Sequence, residues 1–117
     1  MVARYVPDVG HLIWIDFDPS VGREQAGRRP AIVLSPALYN RKTNLAIVAP
    51  ITNQKKGYPF EVELPPKARI TGVVLSDHLK NLDWNQRNAT FAGVAPHDVV
   101  LAIQEKLVHL LALAGQQ

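Results

Sequence analysis

HLIWIDF, residues 11–17, predicts a strand that is covered on both of its faces. Successive side chains of a strand point to opposite sides of the sheet, and here each side is largely apolar. Ile13, Ile15 and Phe17 share one face, whereas Leu12 and Trp14 share the other. A strand that is apolar on both faces lies inside a fold rather than on its surface. We therefore expect other elements to pack on both sides of this segment.

Short apolar runs separated by prolines continue along the chain. Nine prolines are spread along the chain and separate these runs. This spacing is typical of a small barrel of short strands. The alternation in YPFEVEL predicts a half-exposed strand near a sheet edge, where Pro59 is tolerated. A short helical turn is expected soon after residue 77. Beyond the first strand, the predicted strands are residues 30–35, 45–51, 58–64 and 72–76, with short ones around 82–84 and 89–91.

One strong helix is predicted at residues 96–114. Pro96 suits its first turn and Gly115 a position just past its end, and apolar residues recur at helical spacing. Three further apolar side chains widen the stripe beyond what one small sheet can cover: Leu101, Val108 and Leu113. We therefore expect part of the helix to pack on another subunit. The predicted fold class is α+β, mainly β: a small barrel of short antiparallel strands with a C-terminal helix.

Length and composition favour one soluble cytoplasmic domain. A chain of 117 residues can bury a core without disulfides or metal, and it contains no cysteine, which fits a reducing compartment. No signal peptide is expected, and no apolar run approaches the ~20 residues that span a bilayer. The four histidines lack the spacing of metal ligands and no glycine-rich phosphate motif occurs. Neither a metal site nor a cofactor is therefore predicted.

Positive charge is concentrated in one segment. Residues 23–56 hold seven of the thirteen Lys and Arg and a single acid, Glu24, so this segment carries +6 and the remainder −3, within a net charge of +3. A fold that gathers the loops of this segment would present a basic face, as is typical of proteins that bind phosphate-rich partners or acidic peptides. A solvated surface that happens to be basic is the alternative.

The basic segment also brings a possible phosphate site. If the strands at 30–35 and 45–51 are adjacent and antiparallel, Arg29 and Thr52 emerge at the same edge. A guanidinium presents a planar fork of donors to phosphate oxygens, and the threonine hydroxyl adds another donor. The alternative is structural: an ion pair between Glu24 and an arginine, with Thr52 closing a turn.

The residues carry a family resemblance from about Arg4 to Trp84. VPDVGHLIWIDFDPSVGREQAGRRPAIVLSPALYN, followed by KGYPFEVEL and GVVLSDH, resembles the MazF/PemK family of bacterial toxin endoribonucleases, and the MazF branch above all. The resemblance implies an SH3-like barrel, a homodimer, and metal-independent cleavage of single-stranded mRNA at a short, ACA-like motif. It also implies a cognate MazE-like antitoxin whose acidic C-terminal tail covers the same face, in a complex as large as a heterohexamer.

The resemblance also assigns site residues. It places the catalytic arginine at Arg29, the catalytic threonine at Thr52 and a supporting loop glutamate at Glu24. The alternative set of the PemK branch falls on Arg23, Leu75 and Asp77, where only the aspartate survives, so Arg29 and Thr52 are favoured. His78 stands where most relatives have glutamine, a departure that bears on base recognition.

The implied chemistry is attack by the RNA 2′-OH on the adjacent phosphorus. Arg29 suits stabilisation of the phosphorane better than proton transfer, because a guanidinium keeps its charge in proteins and is a poor base. Gly22 and Gly27 permit positive φ at both ends of a loop, which we expect to act as a movable lid. Tyr39 is either a base reader or a buried turn aromatic. The expected RNA-binding residues are Arg23, Arg28, Tyr39, Asn40, Arg41, Gln54, Lys55, Lys56, Asp77 and His78.

Two other classes of protein could share these features. A non-enzymatic, CcdB-like gyrase poison has the same fold without cutting RNA, but it does not need the Arg29 and Thr52 pair. A nucleic-acid-binding barrel without chemistry is the second alternative. Against it stands the scarcity of aromatic residues on the basic segment, where Tyr39 and Tyr58 are the candidates.

Overall fold

The computed structural model describes residues 4–19, 22 and 26–114. In this part of the chain seven strands and two helices are formed. The strands are β1 His11–Asp16, β2 Arg28–Val33, β3 Leu45–Thr52, β4 Glu61–Glu63, β5 Val73–Leu75, β6 Lys80–Asp83 and β7 Thr90–Val94. The helices are α1 Ala37–Thr43, between β2 and β3, and α2 His97–Ala114 at the end.

All strand pairs are antiparallel, and β3 lies at the centre of their connections. The sheet runs in the order β4, β5, β3, β2, β1, β7, and β6 pairs separately with β3. The first half of β3, from Leu45 to Val48, pairs with β6, whereas Ile51 and Thr52 pair with β5. The result is a mainly antiparallel, small barrel-like fold with a C-terminal helix, which confirms the predicted fold class.

The two faces of β1 belong to two apolar clusters, as predicted. Leu12 packs in a cluster with Ile32, Val74 and the α2 residues Val100 and Ile103. Ile13, Ile15 and Phe17 pack in the other cluster, together with Val33 and Trp84. Trp14 is the exception, because its side chain is 41% exposed on the face that Leu12 buries. The expectation that Trp14 would be covered was therefore wrong for this chain alone.

Two local predictions differ from the structure. The strand predicted at 58–64 is shorter, because the Glu61 carboxylate accepts hydrogen bonds from the N–H groups of Lys56 and Gly57, both at 3.0 Å, and closes a turn before β4. Helix α1 was not predicted. In place of the short helical turn expected near the start of residues 77–93, residues 75–78 form a non-helical turn in which the His78 N–H donates to the Leu75 carbonyl.

Helix α2 buries one face and exposes another. It begins at His97, directly after Pro96, and Val99, Val100 and Ile103 are buried against the sheet. Leu101, Val108 and Leu111 are exposed, and Leu111 is 71% accessible. The Leu113 side chain and Gly115 lie outside what the structure describes. No described helix is both long and apolar enough to cross a membrane.

His11 gives the fold a pH-dependent stability. Its Nδ1 accepts a hydrogen bond from the Asp8 N–H at 3.2 Å and lies 2.8 Å from the Tyr5 hydroxyl. Burial lowers the pKa of His11, and the nearby Asp8 carboxylate offsets this only in part. The unfolded chain therefore binds this proton more readily than the folded chain. The contribution of neutral His11 to the free energy of unfolding is fully present above the unfolded pKa of ~6.5, and it is lost as the pH falls from there toward the folded pKa.

We expect the free energy of unfolding, measured in urea, to fall between pH 7 and pH 5, and His11→Asn to flatten this slope. The exposed His109 provides the control, since His109→Asn should leave the slope unchanged. An equal slope in wild type and His11→Asn would contradict this assignment.

Candidate functional site

Two cavities meet at Thr52, the last residue of β3. The arginine cavity, with a volume of about 270 Å³, is lined by Trp14, Arg29, Pro30, Ile51, Thr52, Asn53, Arg69, Ile70 and Thr71. The histidine cavity, with a volume of about 330 Å³, is lined by Thr52, Gln54, Lys56, Tyr58, Glu61, Leu75 and His78. Thr52 is therefore shared by the linings of both cavities.

Arg29 and Thr52 share the arginine cavity because of the β2 and β3 register. Ala31 lies opposite Pro50 in this antiparallel pair, and the same register continued by two residues sets Arg29 opposite Thr52. The predicted pairing of these strands is confirmed. The Arg29 Nε donates to the Ala26 carbonyl at 2.8 Å, which fixes the base of the guanidinium. Within the described chain its two terminal nitrogens have no partner and remain available to an anion.

Thr52 is held by its neighbours on both sides. Its Oγ1 accepts a hydrogen bond from the Gln54 N–H at 3.1 Å, and its backbone pairs with Val73 of β5. Gly72 approaches it closely: a Cβ at Gly72 would lie 2.4 Å from the Thr52 carbonyl oxygen, and φ there is +121°. Only glycine fits this conformation and this contact.

We expect Gly72→Ala to displace the end of β3 and thereby lower any activity that depends on Thr52. The clash is with backbone, so the stability loss should reach the upper part of the ordinary ~0.5 to 3 kcal/mol range. Thermal unfolding and activity of the variant check this. Gly57→Ala is a comparison, because φ is +81° there but no atom lies within 4 Å of an added Cβ. Equal effects of both variants would show that contact with Thr52 is irrelevant.

The histidine cavity unites four predicted site residues with three that were not assigned to the site. The predicted ones are Thr52, Gln54, Lys56 and His78, and the others are Tyr58, Glu61 and Leu75. The Glu61 carboxylate is occupied by the backbone N–H groups of Lys56 and Gly57, so it shapes the loop. Tyr58 is 55% exposed, an aromatic ring open to solvent. The cavity thus combines an exposed aromatic, a lysine and an imidazole, as expected of a pocket for an unstacked base.

Arg28 lines neither of these two cavities, so the structure does not bring it to the cavity of Arg29. Its guanidinium pairs with Asp16 at 3.1 Å and donates to the Thr90 hydroxyl at 3.1 Å. A hydrogen bond from Asn88 and one from Arg28 lower the pKa of Asp16. Successive residues of a strand point to opposite faces, which is why consecutive arginines separate.

Residues of α1 lie at the far end of β3 from Thr52. Eight strand residues separate the two ends, a span of roughly 20 Å. Asn40 is fully buried, and its side-chain amide is hydrogen-bonded to the Ser35 hydroxyl and to the Pro7 carbonyl. Its prediction as a base reader was therefore wrong. Tyr39 is half-buried, and its hydroxyl accepts a hydrogen bond from Asn81. Arg41 is exposed, but the structure does not bring it to Arg29.

Other predicted residues are near the cavities without lining them. Lys55 forms an exposed ion pair with Glu63 at 3.1 Å, and Asp77 is exposed beside His78. Arg23 and Glu24 lie outside the described residues. Gly22 and Gly27 have φ of +62° and +75°, which confirms the predicted positive φ at both ends of the loop.

Arg69 was missed by sequence reasoning. It lies in the segment between β4 and β5 and reaches the arginine cavity through folding, while no local motif marks it. Among the described residues, no group of three or more His, Cys, Asp and Glu side chains is arranged to hold a metal ion.

The sequence matches one family model over residues 8–111, described as PemK-like, MazF-like toxin of type II toxin-antitoxin system. The chain is 56% identical over 102 residues to the endoribonuclease toxin MazF of Escherichia coli K12, covering 86% of this chain and 91% of that protein. It is also 33% identical over 104 residues to the endoribonuclease PemK of Escherichia coli, covering 85% and 78%.

Solved structures give the same family. The crystal structure of MazF from Deinococcus radiodurans superposes with a TM-score of 0.90 at 52% identity, covering 93% of this chain and 99% of that one. A MazE-MazF crystal structure from Deinococcus radiodurans gives a TM-score of 0.82 at 49% identity, covering 92% and 97%.

Proposed function

Because the chain belongs to the PemK-like, MazF-like toxin family of type II toxin-antitoxin systems, we propose that it is an endoribonuclease that cleaves single-stranded mRNA in the cytoplasm. The observation that carries the proposal is the arginine cavity, where Arg29 and Thr52 converge from neighbouring strands. A gyrase poison or a simple RNA-binding barrel has no need of this pair. The chain uses it to cut RNA, inhibiting translation and growth.

The proposed reaction is transesterification within the RNA backbone. The 2′-oxygen forms a bond to phosphorus while the bond from phosphorus to the 5′-oxygen breaks, leaving a 2′,3′-cyclic phosphate and a 5′-OH. A base takes the proton of the 2′-OH, and the leaving 5′-oxygen gains one. Arg29 stabilises the charge that develops on the phosphorane, Thr52 adds a hydrogen bond, and Glu24 is the proposed proton acceptor. No step requires a metal ion.

Sequence selectivity is proposed to arise in the histidine cavity. Single-stranded RNA exposes base faces and edges to a protein, and this cavity offers a tyrosine for stacking and His78 and Gln54 for edge hydrogen bonds. Lys56 adds a charge for a neighbouring phosphate. We propose a short, ACA-like cleavage motif, with His78 altering which base is preferred.

The proposed partners follow from charge and exposed apolar surface. The Deinococcus radiodurans complexes are of MazE with MazF, which supports a MazE-like antitoxin for this chain as well. An acidic tail of that antitoxin would compete with RNA for the arginine cavity. The exposed apolar side of α2, including Leu101, Val108 and Leu111, is proposed to contribute to a homodimer.

Cleavage of a mixed-sequence single-stranded RNA by the purified protein in EDTA tests the proposal. The expected result is cutting at one short motif, with cyclic phosphate and 5′-OH ends on every product. Intact RNA in the presence of folded, dimeric protein would contradict the nuclease and direct attention to gyrase and other protein targets.

A further inference from the structure

Two arginines, Arg29 and Arg69, line the arginine cavity. Arg69 lines it from the segment between β4 and β5, whereas Arg29 comes from β2 and Thr52 from β3. Its aliphatic stem passes over Gly93 of β7, where a Cβ would lie 3.1 Å from the Arg69 Cγ. The absence of a side chain at Gly93 therefore leaves the space that the stem occupies, and two distant parts of the chain deliver arginines to one cavity.

Nothing in the described lining of this cavity neutralises that charge. Its other members are Trp14, Pro30, Ile51, Asn53, Ile70 and Thr71, with no carboxylate among them. Arg69 forms no ion pair or hydrogen bond with the described part of the chain, in contrast to Arg28, which is paired with Asp16. Two like charges in a small cavity repel one another, so an arrangement of this kind is stabilised by an anion between them.

The remaining polar groups favour an anion as well. The Asn53 Oδ1 accepts a hydrogen bond from the Thr71 hydroxyl at 3.1 Å, so the acceptor end of this amide is occupied. Its NH2 group, a donor, has no partner in the portion of the chain that the structure describes. The cavity therefore offers mainly donors, as a phosphate with oxygens on several sides requires.

We propose that Arg69 is a second catalytic arginine, which binds the scissile phosphate together with Arg29 and stabilises the phosphorane with it. This assignment rests on the proposed endoribonuclease function. A cavity of about 270 Å³ that both arginines line has room for one phosphate group. Because the charge on the phosphate oxygens increases toward the phosphorane, both arginines bind the transition state more strongly than the substrate.

Single-turnover cleavage of an RNA that wild type cuts is the test, with Arg69→Ala, Arg69→Lys and Lys67→Ala in parallel. Lys67→Ala is the matched control. It removes the same charge from the same segment, but Lys67 is exposed and does not line the cavity. Arg69→Ala should lower the maximal rate about 10²-fold, as removal of one preorganised donor does. Arg69→Lys should recover part of that loss, and Lys67→Ala should stay within about twofold of wild type.

The outcomes separate this assignment from the proposed function itself. A wild-type protein that leaves RNA intact would remove the nuclease, and Arg69 with it. Active wild type with an unchanged maximal rate in Arg69→Ala would overturn the assignment alone, and so would a raised KM without a lower rate, since Arg69 would then hold a flanking phosphate. Thermal unfolding of Arg69→Ala near the wild-type temperature ensures that the rate reports chemistry rather than folding.

Discussion

Arg29→Ala should lower the rate of RNA cleavage by about 10²- to 10³-fold or more while leaving the fold intact. One preorganised donor aimed at developing charge is worth ~3 to 4 kcal/mol of transition-state stabilisation, and Arg29 is placed for that role by its β-strand register and by the hydrogen bond from Nε to the Ala26 carbonyl. Its side chain lies at the surface of the cavity and outside both apolar clusters. The loss should therefore appear in activity and not in stability.

The neighbouring arginine is the matched comparison for this experiment. Arg28→Ala removes the same charge one residue away, but from the opposite face of β2, where the side chain pairs with Asp16. We expect its cleavage rate to stay close to that of wild type. Exposed ion pairs of this kind contribute little to stability because solvent screens them, so the protein should also remain folded. Equal rate losses in the two variants would mean that net charge, rather than placement, supports activity.

The largest expected effect on stability comes from Asn40→Ala, with a loss of about 2 to 4 kcal/mol in the free energy of unfolding. The Asn40 side chain accepts a hydrogen bond from the Ser35 hydroxyl at 2.6 Å and donates to the Pro7 carbonyl at 2.8 Å and the Ser35 carbonyl at 3.0 Å. It ties the N-terminal segment to the end of β2 within a buried site. Removing the Asn40 amide leaves the buried Ser35 hydroxyl and carbonyl and the Pro7 carbonyl without this partner. An unsatisfied buried polar group lowers the free energy of unfolding more than the loss of an exposed hydrogen bond does.

Urea unfolding measures this loss, and Asn81→Ala is the control. Asn81 makes one exposed hydrogen bond, to the Tyr39 hydroxyl, so its removal should change stability by less than ~0.5 kcal/mol. The fraction of Asn40→Ala that stays folded should cleave the same RNA motif as wild type. An altered motif with unchanged stability would restore Asn40 as a base reader and contradict its structural role.

Sequence patterns predicted what depends on local periodicity. The two apolar faces of β1, the alternation around β4 and the long apolar helix indicated the fold class, and the predicted pairing of β2 with β3 placed Arg29 beside Thr52. Helix α1 escaped prediction because it has only seven residues and its N-cap, Pro36, supplies no side-chain hydrogen bond. Arg28 and Arg29 lie on opposite faces because β2 begins at Arg28, two residues before the predicted strand, so that strand alternation separates the two arginines. Arg69 could not be predicted, since its position depends on how the segment between β4 and β5 folds across the sheet.

The most direct test of the account is cleavage, in EDTA, of two RNA oligonucleotides that differ at one nucleotide. Both contain the motif that the protein cuts, and one carries 2′-deoxyribose on the 5′ side of the scissile phosphate. The arginine cavity is proposed to stabilise attack by the 2′-OH, so wild type should bind both oligonucleotides and cut only the one with ribose, leaving a 2′,3′-cyclic phosphate. Cleavage of the deoxyribose oligonucleotide at the same position would contradict that mechanism, and failure to cut either would contradict the proposed function.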